Sequence, residues 1–364
     1  MLKAPLNGGL SQPPEARGSQ PLADWLVQFT GSASYAGLVE RLKVREHITP
    51  PEETAAIYGL LQEIKPRSAL EIGTFFARTT RIMAEAIVER GIDAVVTTLD
   101  PFGAARVPGI LRSWPRRLQA VTAYKPWNSM QYFLDLETAG QPRGAASPLG
   151  LVFVDGHHTF EYVLFDIMRS ADHLAPEGVI VVDNLEQEGP RSAVAQFLRW
   201  NPAWKLFQEG AISSAVDGAR DLSGSNREEP CWGVLFAPPG LQVSAQASKL
   251  TKRDLPYKPL EQIQFNVCEV SQPGTLHLNL SYFAVPFNFH LTGTGMTSER
   301  IILDAPVQDA SPIALTISPP ATLDLPRTGS YVCYEAELTF HSADASGYLL
   351  LDAHDPLQLL SGSR

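Results

Sequence analysis

Cysteine is scarce: the chain has three, Cys231, Cys268 and Cys333, far apart in the sequence. An odd, scattered set forms no CxxC metal pair and no disulfide framework, so these residues are expected to be buried small apolar groups. Long apolar runs are also missing, and none reaches the roughly 20 residues that a membrane span requires. The opening stretch "MLKAPLNGGLSQPPEARGSQP" has no apolar segment of the signal-peptide kind. It reads as a flexible leader, and a cytoplasmic location is the expectation. Positive charge is in deficit, with 29 Lys and Arg against 39 Asp and Glu, for a net charge of −10. That balance disfavours a nucleic-acid backbone or an anionic membrane as the main partner. Neither GxGxxG nor GxxxxGK[ST] occurs, which counts against a nicotinamide dinucleotide fold and a P-loop nucleotidase.

What is present is a sizeable core. Of 364 residues, 44% are hydrophobic and 19% charged, which suits one large or two ordinary globular domains. Residues 35–240 alternate helical and strand patterns, the signature of a mostly parallel, doubly wound α/β sheet. Residues 1–34 form the leader. In "ITPPEETAAIYGLLQEIK", Thr49 and Glu52 have capping-box spacing, and Ile57, Leu60, Leu61 and Ile64 make an apolar helical face. Past "APPG" the pattern becomes strand-only, as in "TLHLNLSYF" and "SYVCYEAELTF". Residues 241–258 are expected to be a linker and 259–364 a small all-β sandwich.

In open α/β sheets, ligands bind beyond the carboxyl ends of the strands. In "LEIGTFFARTT", Glu71 closes the first strand and Gly73 makes the turn into a helix. The second strand ends in Asp100. An acid there accepts hydrogen bonds from a ribose, or it simply shapes the turn before Pro101; both readings stand. In "LVFVDGHHTF" a buried strand breaks into Asp155, Gly156, His157 and His158, and "GVIVVDN" ends in Asp183 and Asn184. If these two strand ends are neighbours, Asp155, Asp183 and Asn184 offer three oxygen ligands suited to Mg²⁺ or a similar hard cation. Each residue alone fits a turn or a cap equally well. The set, with a histidine close behind Asp155, favours the functional reading.

The segments "ALEIGTFFARTT", "VVTTLD", "LVFVDGHHTFEYVLFDI" and "LAPEGVIVVDN" resemble class I S-adenosylmethionine-dependent methyltransferases. More narrowly, they resemble the metal-dependent O-methyltransferases of the catechol and macrolide-sugar type, over roughly residues 45–240. The resemblance implies S-adenosylmethionine as cofactor, held by Glu71, Gly73, Thr79, Asp100, Ser129 and Asp155. It implies Mg²⁺ or a similar cation on Asp155, Asp183 and Asn184. His158 takes the role of catalytic base beside Asp155, while His157 falls at a variable position. Ala77 departs from the pattern, standing where a second glycine is usual, and Trp127 stands where many relatives have Gly. The implied acceptor is a hydroxyl of a sugar, glycan or polyhydroxylated small molecule, and assembly into a homo-oligomer is left open.

Two other readings compete. One is a non-catalytic binding or scaffold protein whose β region recognises carbohydrate or protein. The other is a relative of the same fold that works on a different cofactor. His277, His290, His341 and His354 are read as surface or structural groups, and Tyr282, Phe283, Phe287 and Phe289 as sandwich core.

Overall fold

The computed structural model describes residues 19–43, 49–138, 149–224, 231–246, 248–254, 260–286, 297–321, 330–352 and 357–361. The α/β part opens with α1 (Ser19–Thr30), α2 (Ala33–Lys43), α3 (Pro51–Ile64), β1 (Ser68–Ile72) and α4 (Arg78–Arg90). It continues with β2 (Val95–Leu99), the short helices α5 (Val107–Arg112) and α6 (Arg116–Gln119), β3 (Thr122–Lys125), α7 (Ser129–Thr138) and β4 (Leu149–Val154). Next come α8 (Phe160–Asp172), β5 (Leu174–Val182), α9 (Glu188–Trp200), β6 (Lys205–Gln208), β7 (Ala211–Ser214), α10 (Ala215–Gly224) and β8 (Gly233–Phe236).

These strands form one eight-stranded sheet in the order β3-β2-β1-β4-β5-β8-β6-β7. β1 to β5 run parallel, and β8, β6 and β7 close the edge antiparallel. Period-two alternation splits the apolar residues between two faces. Ala69, Leu151, Phe153, Val179 and Val181 pack under α1 to α4. Leu70, Ile72, Val152, Val154, Ile180 and Val182 pack under α7 to α10. Strand order reverses between β1 and β4, so a crevice opens at their carboxyl ends.

Two expectations for the N-terminal part are corrected. The stretch read as leader contains α1, whose Ala23 and Leu26 are buried in the core; an apolar stripe on a short polar-rich segment was enough to dock it. Residues 1–18 lie outside the described residues. Thr49 does not cap α3. Pro50 is the cap residue, with no side-chain cap bond, and Pro51 starts the helix where its missing N–H costs nothing. The Thr49 hydroxyl lies 3.0 Å from that of Thr79 instead.

The stretch read as a linker is also ordered strand, β9 (Gly240–Ser244) and β10 (Ser248–Asp254). The remaining strands are β11 (Leu260–Phe265), β12 (Val267–Val270), β13 (Gly274–Pro286), β14 (Thr297–Val307), β15 (Ile313–Ala321), β16 (Ser330–Ser342), β17 (Tyr348–Asp352) and β18 (Leu357–Ser361). The all-β part is built from three antiparallel sheets, β10-β16-β13-β14, β15-β11-β18 and β12-β17-β9. They share one core that includes Val243, Phe265, Leu278, Leu338 and Leu349. A polar side chain stitches this part to the α/β sheet: Gln242 accepts from the Ala203 N–H at 2.7 Å and donates to the Trp200 carbonyl at 3.3 Å.

Candidate active site

The backbone brings the strand ends into one row. The Asp155 N–H donates to the Ile72 carbonyl at 2.9 Å, and the Asp183 N–H to the Val154 carbonyl at 3.1 Å. Asp155 and Asp183 therefore sit at adjacent tips, as β4–β5 pairing requires. On the other side, the N–H groups of Gly73 and Thr74 both donate to the Leu99 carbonyl, at 2.9 and 3.1 Å. Gly73 has φ +106°, and a Cβ there would lie 1.9 Å from the Asp155 carbonyl oxygen. Only glycine allows the β1 and β4 tips to meet this closely.

Glu71 faces down rather than into the crevice. It is 1% exposed, and its carboxyl accepts from the hydroxyls of Thr80 and Thr98. Burial pushes its pKa from 4.5 to about 8 despite those hydroxyls. Thr79 is buried at the start of α4. Ala77 takes a left-handed conformation, φ +55°, consistent with a position where glycine is usual.

Asp100 takes the turn role and adds an ion pair to it. One carboxylate oxygen accepts from the Phe102 N–H at 2.9 Å, which is the turn role. The other meets the Arg106 guanidinium at 3.2 Å. Arg106 also donates to the Phe75 carbonyl at 3.0 Å and lies over the rings of Phe75 and Phe76. It thus ties the β1 loop to the β2 end. Ser129 opens α7 and hydrogen-bonds the buried carboxyl of Asp166 on α8, which burial raises to about 7. The Lys125 ammonium sits 4.0 Å from the centre of the Trp127 ring.

His158 is oriented from both sides. Its Nδ1 lies 3.1 Å from Gln187 Oε1, and its Nε2 lies 3.5 Å from Asp155 Oδ1. Both neighbours are oxygen acceptors, so the tautomer decides which ring nitrogen donates; with the proton on Nδ1, Nε2 is free to accept. The neighbouring carboxylate raises the His158 pKa. His157 is exposed and turned away, its ring packed on Tyr162 at 4.8 Å.

Asn184 has φ +59°, and its Oδ1 is buried without a hydrogen-bond partner among the described residues. Its side-chain amide reaches toward Glu186 at 3.5 Å, and Glu186 in turn accepts from the Cys231 N–H at 3.0 Å. The pKa values of Asp155 and Asp183 are both raised by burial. A buried surplus of carboxylates beside an orphaned amide oxygen fits a hard cation. As placed, no group of three or more His, Cys, Asp or Glu forms a ready-made metal cluster among the described residues; the set is two carboxylates and an amide.

Glu53 was not anticipated. It comes from the first turn of α3, is fully buried, and points at Asp183. The sequence carried a signal for it: Glu53 is one turn before Ile57, on the apolar stripe of its helix, where a charge needs a reason.

Away from the crevice, His277 on β13 meets Asp304 on β14 at 2.6 Å and stacks edge-on with His341. It is a satisfied surface group, as expected. His290, His354, Phe287 and Phe289 lie outside the described residues.

Residues 70–185 match a family model described as a methyltransferase domain. No curated protein matches the chain. Among solved structures, the chain is similar to the O-methyltransferase TomG from Streptomyces achromogenes, involved in tomaymycin synthesis and solved with SAM. The identity is 14%, over 61% of this chain and 100% of that one, with a TM-score of 0.35. An O-methyltransferase from Bacillus cereus in complex with SAH is 16% identical over 60% of this chain and 96% of that one, with a TM-score of 0.34. An rRNA methylase from Streptococcus thermophilus is 14% identical over 49% of this chain and 92% of that one, with a TM-score of 0.32. The stretch that matches the methyltransferase-domain model, residues 70–185, spans the β1, β2, β4 and β5 tips that form the crevice.

Proposed function

We propose that the protein is an S-adenosylmethionine-dependent O-methyltransferase. Its acceptor is a hydroxyl of a sugar, glycan or polyhydroxylated small molecule. The observation that carries this reading is the convergence of Asp155, His158, Asp183 and Asn184 on one crevice of a methyltransferase domain. A sulfonium methyl is already activated, so the protein must supply alignment and a base. Asp100 accepts from the ribose hydroxyls, and the Gly73 loop and the start of α4 border the rest of the cofactor. Asp155, Asp183 and Asn184 would hold a divalent cation, which lowers the pKa of a bound hydroxyl. His158 Nε2 takes the acceptor's proton as the new O–C bond forms and the C–S bond breaks, with Gln187 holding Nδ1 and the Asp155 charge favouring the imidazolium. Placement of the acceptor in line with the sulfonium supplies much of the remaining rate.

The test is transfer of labelled methyl to a panel of polyhydroxylated acceptors. EDTA should abolish it and Mg²⁺ restore it. With an accepted substrate, His158→Ala should lower the rate by about 10²–10⁴-fold while cofactor and Mg²⁺ binding persist. His157→Ala should cost far less, because its ring packs on Tyr162 outside the crevice. An inactive His157 variant beside an active His158 variant overturns the base assignment. Transfer that survives EDTA overturns the role of the cation.

A further inference from the structure

Glu53 is 0% exposed, and neither of its carboxyl oxygens meets a hydrogen-bond donor among the described residues. Its neighbours are themselves acidic. The carboxyl lies within hydrogen-bonding reach of Asp183, with Asp155 and Glu186 close enough to act on it electrostatically. Two carboxylates facing each other in a dry place repel, so the pair must share a proton or take up a positive charge between or beside them. An orphaned acid this deeply buried costs stability unless something compensates it.

We propose that Glu53 is a positioning residue of the cation site: its carboxyl stands against Asp183 and adds the negative charge that draws a divalent cation to the β4 and β5 tips. The inference rests on the cation reading above and extends it to α3, an element outside the 70–185 stretch. The three carboxyls of Glu53, Asp155 and Asp183 are not arranged as a ready-made ligand cluster, so Glu53 acts on the site through Asp183 rather than as an independent ligand. Its place explains two features together: an acid on the apolar stripe of α3, and the absence of a donor for it among the described residues.

The experiment is calorimetric titration of the full chain with Mg²⁺, paired with thermal unfolding with and without Mg²⁺, for wild type, Glu53→Gln and Asp183→Asn. Glutamine keeps the shape, removes the charge and offers Asp183 a donor. In Glu53→Gln, Mg²⁺ affinity should fall about tenfold or more, the metal-free Tm should rise above wild type, and the Tm gain on adding Mg²⁺ should shrink. Binding of S-adenosylhomocysteine should not change. A merely structural Glu53 would instead lower Tm with and without Mg²⁺ alike. If wild type binds Mg²⁺ and Glu53→Gln binds it equally well, this inference fails while the cation reading stands. If wild type binds no Mg²⁺, matching Asp183→Asn, both fail together.

Discussion

Asp100 shows how one side chain serves a turn and an ion pair together. One oxygen closes the turn on the Phe102 N–H, and the other holds Arg106. Asp100→Asn separates these roles, since asparagine still accepts from Phe102 but loses the charge that strengthens bonds to ribose hydroxyls. Hydrogen bonds to a charged group contribute about 1.5–3 kcal/mol, so S-adenosylmethionine should bind roughly 10–100-fold more weakly by calorimetry. Unchanged affinity would mean that Asp100 does nothing beyond shaping the turn and anchoring Arg106.

At the scale of elements, the site depends on how closely neighbouring tips approach. The start of α9 lies against the strand tip that carries His158: a Cβ on Gly189 would sit 2.2 Å from the His158 carbonyl and 3.0 Å from the Phe160 nitrogen. Backbone on both sides cannot yield as a flexible side chain can. Gly189→Ala should therefore push α9 and the His158 tip apart without altering any group that touches a ligand. A shift of about 1 Å at a reacting group can cost 10²-fold in rate. A fall in kcat of that order, with cofactor affinity retained, is the expected outcome. Wild-type kcat would show that the tip does not hold the base in its working position. Gly73 plays the matching role on the other side, where the β1 loop meets the Asp155 carbonyl.

At the scale of the whole molecule, the α/β sheet and the all-β part have separate cores. The crevice is lined by α/β residues. We propose that the parts are separable, with the all-β part serving acceptor recognition or assembly. A chain ending at Pro239 should stay folded and bind S-adenosylmethionine with near wild-type affinity. It loses both Gln242 bonds to the α9–β6 corner, each contributing about 1 kcal/mol, so its Tm should be modestly lower. Aggregation, or loss of cofactor binding in the soluble truncated chain, would show that the all-β part belongs to the catalytic core. Among the described residues no helix is long and apolar enough to cross a membrane.

Local patterns determined a great deal. Apolar runs ending in acid or glycine located β1, β2, β4 and β5 and their tips, because a parallel strand buried on both faces must be apolar until it reaches the crevice. The acids and His158 were legible for the same reason: just past the strand ends, charge meets the open crevice. Other features depended on residues distant in sequence. Thr49 has the spacing of a helix cap, yet the packing of α3 on α4 turned its hydroxyl to Thr79. Glu71 reads as the strand-closing residue of a cofactor loop, but its position in β1 points it under α4, where Thr80 and Thr98 hold it. The supposed linker became strand because β9 and β10 found partners in β17 and β16, about a hundred residues further on. Glu53 reached Asp183 only once α3 had docked on the sheet. Periodicity encodes which face of an element is buried; which polar group that face will meet is decided when the elements pack, because contact between distant residues has no local signature.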